Sequence, residues 1–164
     1  MQISHQNGRS SDSGHLYQLI GNEIKTVLQQ IGVTDMQVCN KFIRPQGEGF
    51  YTVYTSTYGA YNMRLAFSAE WTLLDHIAEV MLCQPVSEEE DVIDCAKEFF
   101  NVVCGHVVAT IFKATKTSAR FGCPCFEEGL STQNCDDAML LHCFINEQQE
   151  AAVFMHDPLT TLQM

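Results

Sequence analysis

Apolar positions follow two different periods along this chain. Leu16, Leu19, Ile20, Ile24, Val27, Leu28 and Ile31 recur at three- and four-residue steps. That spacing is one face of a helix, predicted over residues 13–31 and stopped at Gly32. The Ser-, Gly-, Asn- and Gln-rich residues 1–12 carry no such pattern and read as a flexible segment. A strand-rich stretch follows. Residues 36–43 form one candidate strand, Gly47-Glu48-Gly49 is a turn signal, and residues 51–57 are β-branched and aromatic. After a turn at Tyr58-Gly59, Tyr61, Met63, Leu65 and Phe67 alternate with Asn62, Arg64 and Ala66, as in a half-buried strand.

The helical period then returns. Leu73, Leu74, Ile77, Val80 and Met81 stripe a helix that Ser68 can cap, running to about Leu82 and closed by Pro85. Ser87-Glu88-Glu89-Glu90 reads as a capping box, with Ser87 as the cap, Glu90 reaching back, and acidic groups in the first turn suiting the helix dipole. That third helix is predicted to continue to about Lys113. Three strands complete the chain: 117–126, 138–145 and 151–156, the last two joined by a hairpin over 146–150. Short links favour antiparallel pairing. The predicted class is α+β, a mainly antiparallel sheet of about six strands with long helices packed on it. Residues 13–157 form one domain and 158–164 a tail.

Composition narrows the function classes. A chain of 164 residues holds one domain with a core. The net charge of −11 and nine Lys plus Arg against twenty acids disfavour nucleic acid and anionic membrane. The polar N-terminus lacks the apolar stretch of a signal peptide, and the expected location is cytoplasmic. Eight cysteines lie without the paired spacing of a zinc ribbon, mostly in apolar stretches, and read as reduced residues; no metal site is expected. Cys123-Pro124-Cys125 keeps a metal- or thiol-based sensor as a minor reading.

The long third helix carries the candidate chemistry. With Asp94 as the zero of a helical wheel, Glu98 lies at about 40°, Asn101 at about 340° and Gly105 at about 20°. Phe99, Phe100, Val103 and Val107 occupy the opposite side. One edge therefore presents two acids, a carboxamide and bare backbone. Asn101 is a mediocre helix former between Phe99-Phe100 and Val102-Val103, and nothing local requires it. Gly105 costs about 1 kcal/mol against alanine inside a helix. From spacing alone two readings stand. The edge is a solvated face with Gly105 a packing notch, or it is a surface that another protein approaches closely.

Asp94, three residues, Glu98, two residues, Asn101, then Gly105 resembles the active-site helix of the CheC/CheX family of chemotaxis phosphatases, where Asp or Ser stands first. The strand at 61–67, the helix ending in Met81-Leu82, and Cys123-Pro124-Cys125-Phe126-Glu127-Glu128-Gly129 resemble the family's segments before and after that motif. The first helix has Gly21-Asn22-Glu23 and no second Glu-x-x-Asn, so the chain is similar to the single-site, CheX-like branch, whose members pair as homodimers.

The resemblance implies a phosphatase that docks on a phosphorylated, CheY-like response-regulator receiver and hydrolyses its aspartyl phosphate. Asn101 would orient a water for in-line attack, being neutral toward the phosphoryl group. Glu98 would pair with the receiver's lysine, while Asp94 and Gly105 belong to the partner-binding surface. Mg²⁺ would come from the receiver, with no cofactor of the chain's own. The alternative is a non-catalytic receiver-binding or scaffold module. His106, at about 120° on the wheel, reads as a partly buried helix residue rather than a base.

Overall fold

The computed structural model describes residues 9–33, 35–39 and 49–159. In chain order the elements are α1 (Arg9–Gln30), β1 (Gln37–Val38), β2 (Phe50–Gly59), β3 (Arg64–Glu70), α2 (Trp71–Leu82), α3 (Glu89–Thr115), β4 (Ala119–Phe121), β5 (Cys125–Glu128), β6 (Leu140–Ile145) and β7 (Ala151–His156). All sheet pairings are antiparallel. The sheet order is β1-β6-β7-β3-β2-β4, with β5 also paired to β2. The class is the predicted one, with seven strands in place of about six.

The extra strand arises from one predicted element. Residues 117–126 divide at Gly122-Cys123-Pro124, because the proline has no N–H to give to a ladder. β4 pairs with the end of β2 at Thr57–Gly59, and β5 pairs with its beginning, from Tyr51 to Tyr54. Two short strands thus share one long neighbour. β7 has its predicted bounds, and the hairpin before it is held by Asn146, whose Oδ1 accepts from the Glu150 N–H at 2.8 Å.

Five local expectations are corrected. The first helix begins at Arg9, four residues before the predicted start, so the flexible segment cannot reach residue 12; residues 1–8 lie outside the described residues. Ser68 does not cap α2. It pairs with Thr52 of β2 on one side and Val153 of β7 on the other, and its hydroxyl shares a 3.0 Å hydrogen bond with the Thr52 hydroxyl. β3 therefore extends to Glu70, which takes the cap position of α2 without a side-chain cap bond, its carboxylate accepting from the Ala151 N–H instead. The capping box does not form either. Val86 packs on the core and holds the chain extended through Glu88, so α3 starts at Glu89 with no side-chain cap. The three acids of its first turn remain. Fourth, Leu65 to Ala69 of β3 are buried on both faces, since β3 is central rather than half-exposed. Last, Leu159, assigned to a tail, is buried in the core. Of the predicted strand 36–43, only Gln37–Val38 pairs among the described residues, and 40–48 lie outside them.

Period and topology together explain the layers. Leu65, Phe67 and Ala69 of β3 with Ala152 and Phe154 of β7 face the helices, where Leu16, Ile20, Ile24, Leu73, Ile77, Phe99, Phe100 and Val103 meet them. Ala66, Val153, Met155 and Cys143 face the other way, under Cys135 and Met139 of the 129–139 connection. α3 lies against both α1 and α2 and over the sheet. Among the described residues it is the one helix long and apolar enough to cross a bilayer. Val92, Phe99, Phe100, Val103, Val107 and Ile111 of this helix are buried inside the protein.

Beside α1 the sheet holds a buried histidine pair. His142 of β6 and His156 of β7 meet through their Nε2 atoms at 2.8 Å. The His156 Nδ1–H donates to the Asp157 carbonyl, which leaves His142 to donate in the shared bond. Tyr17 of α1 stacks on His142, with ring centroids 4.1 Å apart, and donates its hydroxyl to the Leu141 carbonyl. Burial, and then the neighbouring His156, pushes the His142 imidazole down to about 3. Burial also holds His156 below its ordinary value. At neutral pH the pair is uncharged.

Candidate functional site

α3 divides sharply between its two sides. Val92, Cys95, Ala96, Phe99, Phe100, Val103, Cys104, Val107 and Ile111 are buried. Asp94, Glu98 and Gly105 are exposed, and Asn101 is half-buried. The four predicted site residues therefore share one outer stripe, which rises about 16 Å from Asp94 to Gly105 at 1.5 Å per residue. Glu98 and Asn101, three residues apart, are neighbours on the helix surface. The side chains of Glu98 and Asn101 make no hydrogen bond or ion pair among the described residues. Both are available to an outside group.

Gly105 bears on one part of the solvated-face reading of the stripe. A Cβ built there meets nothing within 4 Å. No neighbouring helix rests on it, so the packing-notch reading fails. Its helix-propensity cost is uncompensated inside the chain, while the bare backbone leaves room for an approaching surface.

The stripe extends beyond the predicted residues. Val102 is 40% exposed and Phe112 46% exposed, among the few large apolar side chains that face solvent. Ala109, also exposed, and Phe112 continue the line from Gly105 toward the C-terminal end of α3, while Val102 flanks the stripe before Gly105. Lys116 lies over the Phe112 ring, its Nζ 5.8 Å from the centroid. The signal for these residues was present in the sequence, since Ala109 and Phe112 stand four and seven positions after Gly105.

Next to Gly105 a cavity of about 380 Å³ opens between α1 and α3, lined by Glu23, His106, Ala109, Thr110 and Lys113. A second, of about 600 Å³, shares Glu23, Thr110 and Lys113 and runs on to Asp12 and His15. His106 is half-buried, as its wheel position implied. Its Nδ1 bonds the Glu23 carboxylate at 2.6 Å, clamping α3 to α1 one residue past Gly105. That contact makes His106 a positioning group, and it was not legible in advance because it joins residues 83 positions apart.

The thiols of α3 do not serve this surface. Burial, with Asp91 and then Asp94 adding to it, pushes the Cys95 thiol up, and burial does the same to Cys104. Cys123 and Cys125 are exposed. Among the described residues no group of three or more His, Cys, Asp or Glu side chains is arranged to hold a metal ion.

Helices on one face of an antiparallel sheet, with the central helix turning a polar stripe outward, define an α+β protein of the CheC/CheX fold. No protein-family model matches the chain, and no curated protein matches it in sequence. Solved structures do match in shape. The chemotaxis protein CheX from Vibrio vulnificus superposes with a TM-score of 0.67 at 16% identity, over 87% of this chain and 96% of that one. A CheC-like superfamily protein from a Shewanella species gives 0.69 at 15%, over 87% and 97%. CheX from Borrelia burgdorferi, solved in a complex with CheY, BeF3 and Mg²⁺, gives 0.66 at 14%, over 86% and 96%. At these identities the likeness is one of fold, and it covers 86–87% of this chain.

Proposed function

We propose that the outer stripe of α3 docks on a phosphorylated, CheY-like receiver domain and hydrolyses its aspartyl phosphate. The observation that carries this reading is the pairing of Glu98 and Asn101, side by side, facing outward and unengaged, next to a glycine over which nothing packs. The fold shared with a CheX solved together with CheY supports the choice of partner.

The chemistry asks little of this chain. An acyl phosphate is a mixed anhydride, already activated toward water, so positioning is what remains to be supplied. The Asn101 carboxamide accepts a hydrogen bond from the water and holds it in line, adding no negative charge beside the phosphoryl group. Glu98 supplies an acceptor for a cation on the partner and so fixes where Asn101 falls. Asp94 adds charge one turn away and takes no part in the displacement. Mg²⁺ belongs to the receiver. The reading further places the protein in the cytoplasm, acting as a homodimer, a state that light scattering of the purified chain measures.

The test is phosphate release from a phosphorylated receiver of the same genome, with Mg²⁺ present, comparing the wild type with Asn101→Ala. Faster release by the wild type alone supports the reading. Equal acceleration by both removes Asn101 from the mechanism. Binding without acceleration by either leaves a receiver-binding module that does no chemistry.

A further inference from the structure

We propose that Cys39 and Cys143 form a reversible disulfide site whose oxidant is a small-molecule disulfide of the glutathione type. Two observations carry it. The β1–β6 register pairs Gln37 with Ile145 and Val38 with Phe144, and the Cys39 N–H donates to the Cys143 carbonyl at 2.8 Å. The next step of that ladder sets Cys39 opposite Cys143. Directly opposed residues project to the same face of a sheet, and both cysteines pack in the same cluster on its outer side, with Cys135, Met139 and Met155.

The spacing suits a bond that forms and reopens. Opposed residues that share a hydrogen bond have Cα atoms about 5.5 Å apart, inside the span a disulfide bridges. Their Cβ atoms sit at about 5 Å and must draw in by about 1 Å. A bridge here carries strain, and strained bridges are the readily reduced ones. A metal is not the alternative, since no three ligands converge among the described residues. Of the other thiols, Cys95 and Cys104 are core residues of α3, Cys83, Cys123 and Cys125 are exposed, and Cys135 shares the cluster but lies off the β1–β6 ladder.

Burial sets the order of events. Cys39 is half-buried, whereas Cys143 is 8% exposed. The Cys39 thiolate attacks one sulfur of oxidised glutathione, whose S–S bond breaks. The first glutathione leaves as a thiolate and takes up the proton Cys39 gave. The Cys143 sulfur then attacks the Cys39 sulfur of the mixed disulfide and expels the second glutathione, which takes the Cys143 proton. Two protein thiols are oxidised, and one glutathione disulfide is reduced to two thiols. The product ties the two-residue edge strand β1 covalently to β6.

The experiment equilibrates the full chain in glutathione buffers of increasing oxidised fraction, blocks remaining thiols by alkylation, and maps linked peptides by mass spectrometry. The expected result is a peptide pair joined through Cys39 and Cys143, lighter by two hydrogens and reopened when reduced glutathione is in excess. Cys39→Ser should remove that link and Cys95→Ser should leave it. A link from Cys143 to Cys135 instead, or a glutathione adduct that stays on Cys39 without progressing to the pair, overturns the proposal. So does a Cys39–Cys143 link that persists in excess reduced glutathione, which would make it a structural staple.

Discussion

At the residue scale, charge and shape on the α3 stripe separate cleanly. Glu98 faces solvent without an internal partner, so its replacement should leave the fold alone and act on docking. Glu98→Lys is expected to weaken receiver binding by about 2 kcal/mol or more, roughly 30-fold in Kd, because an attraction becomes a repulsion. Titration of the phosphorylated receiver by fluorescence or calorimetry measures it, and an unchanged Kd would remove Glu98 from the interface. Asp94→Ser should change the same Kd by less than about threefold, since Asp94 lies at the margin of the stripe and its charge is screened by solvent. The stripe was legible in the sequence because it rests on helical spacing alone, which needs no knowledge of neighbours. The Glu23–His106 clamp was not, because its partners meet only when α1 and α3 pack.

At the scale of elements, two glycines in adjacent helices give opposite predictions for one substitution. Gly105 has open space where a Cβ would go, so Gly105→Ala should stabilise the fold by about 0.5–1 kcal/mol through helix propensity. Gly21 of α1 does not. A Cβ there would stand 2.9 Å from the His142 Nδ1, in a ring already held by Tyr17 and His156. Gly21→Ala should destabilise by about 1–3 kcal/mol despite the same propensity gain, because the ring cannot withdraw without breaking its stack and its hydrogen bond. Urea unfolding of the two variants beside the wild type checks both signs. Larger side chains at Gly105 should keep the stability and lose the partner. The elements themselves were mostly readable from periodicity. Misreadings cluster where tertiary pairing overrode a local signal. Ser68 is a good cap by type, yet two flanking strands claim its backbone. Ser87 begins a plausible capping box, yet Val86 anchors the chain in an extended course past it.

For the whole molecule, the histidine pair ties stability to pH. Both imidazoles have folded-state values below the ordinary 6.5, His142 at about 3. The unfolded chain therefore takes up protons first as pH falls, and stability declines from about pH 6.5 downward, with the contribution fully present above it. Between pH 6 and pH 5 His142 alone should account for a loss on the order of 1 kcal/mol, and His156 adds to it in the same direction. Urea midpoints at the two pH values measure the loss, and His142→Gln should flatten the dependence. The fold class and element order were readable because they follow from local period and short links. The sheet order was not, since nothing local says that β7 lies between β6 and β3 or that β2 carries two short strands on one side.

The sharp division of α3 has a consequence for how such a chain can change over generations. Its inner residues answer to the sheet and to two helices, while Glu98 and Asn101 on its outer side bond to no other described group and nothing packs over Gly105. Selection for a stable fold and selection for a given partner thus fall on different letters of the same helix. The outer letters can be rewritten for a new partner, one at a time, without passing through an unfolded ancestor.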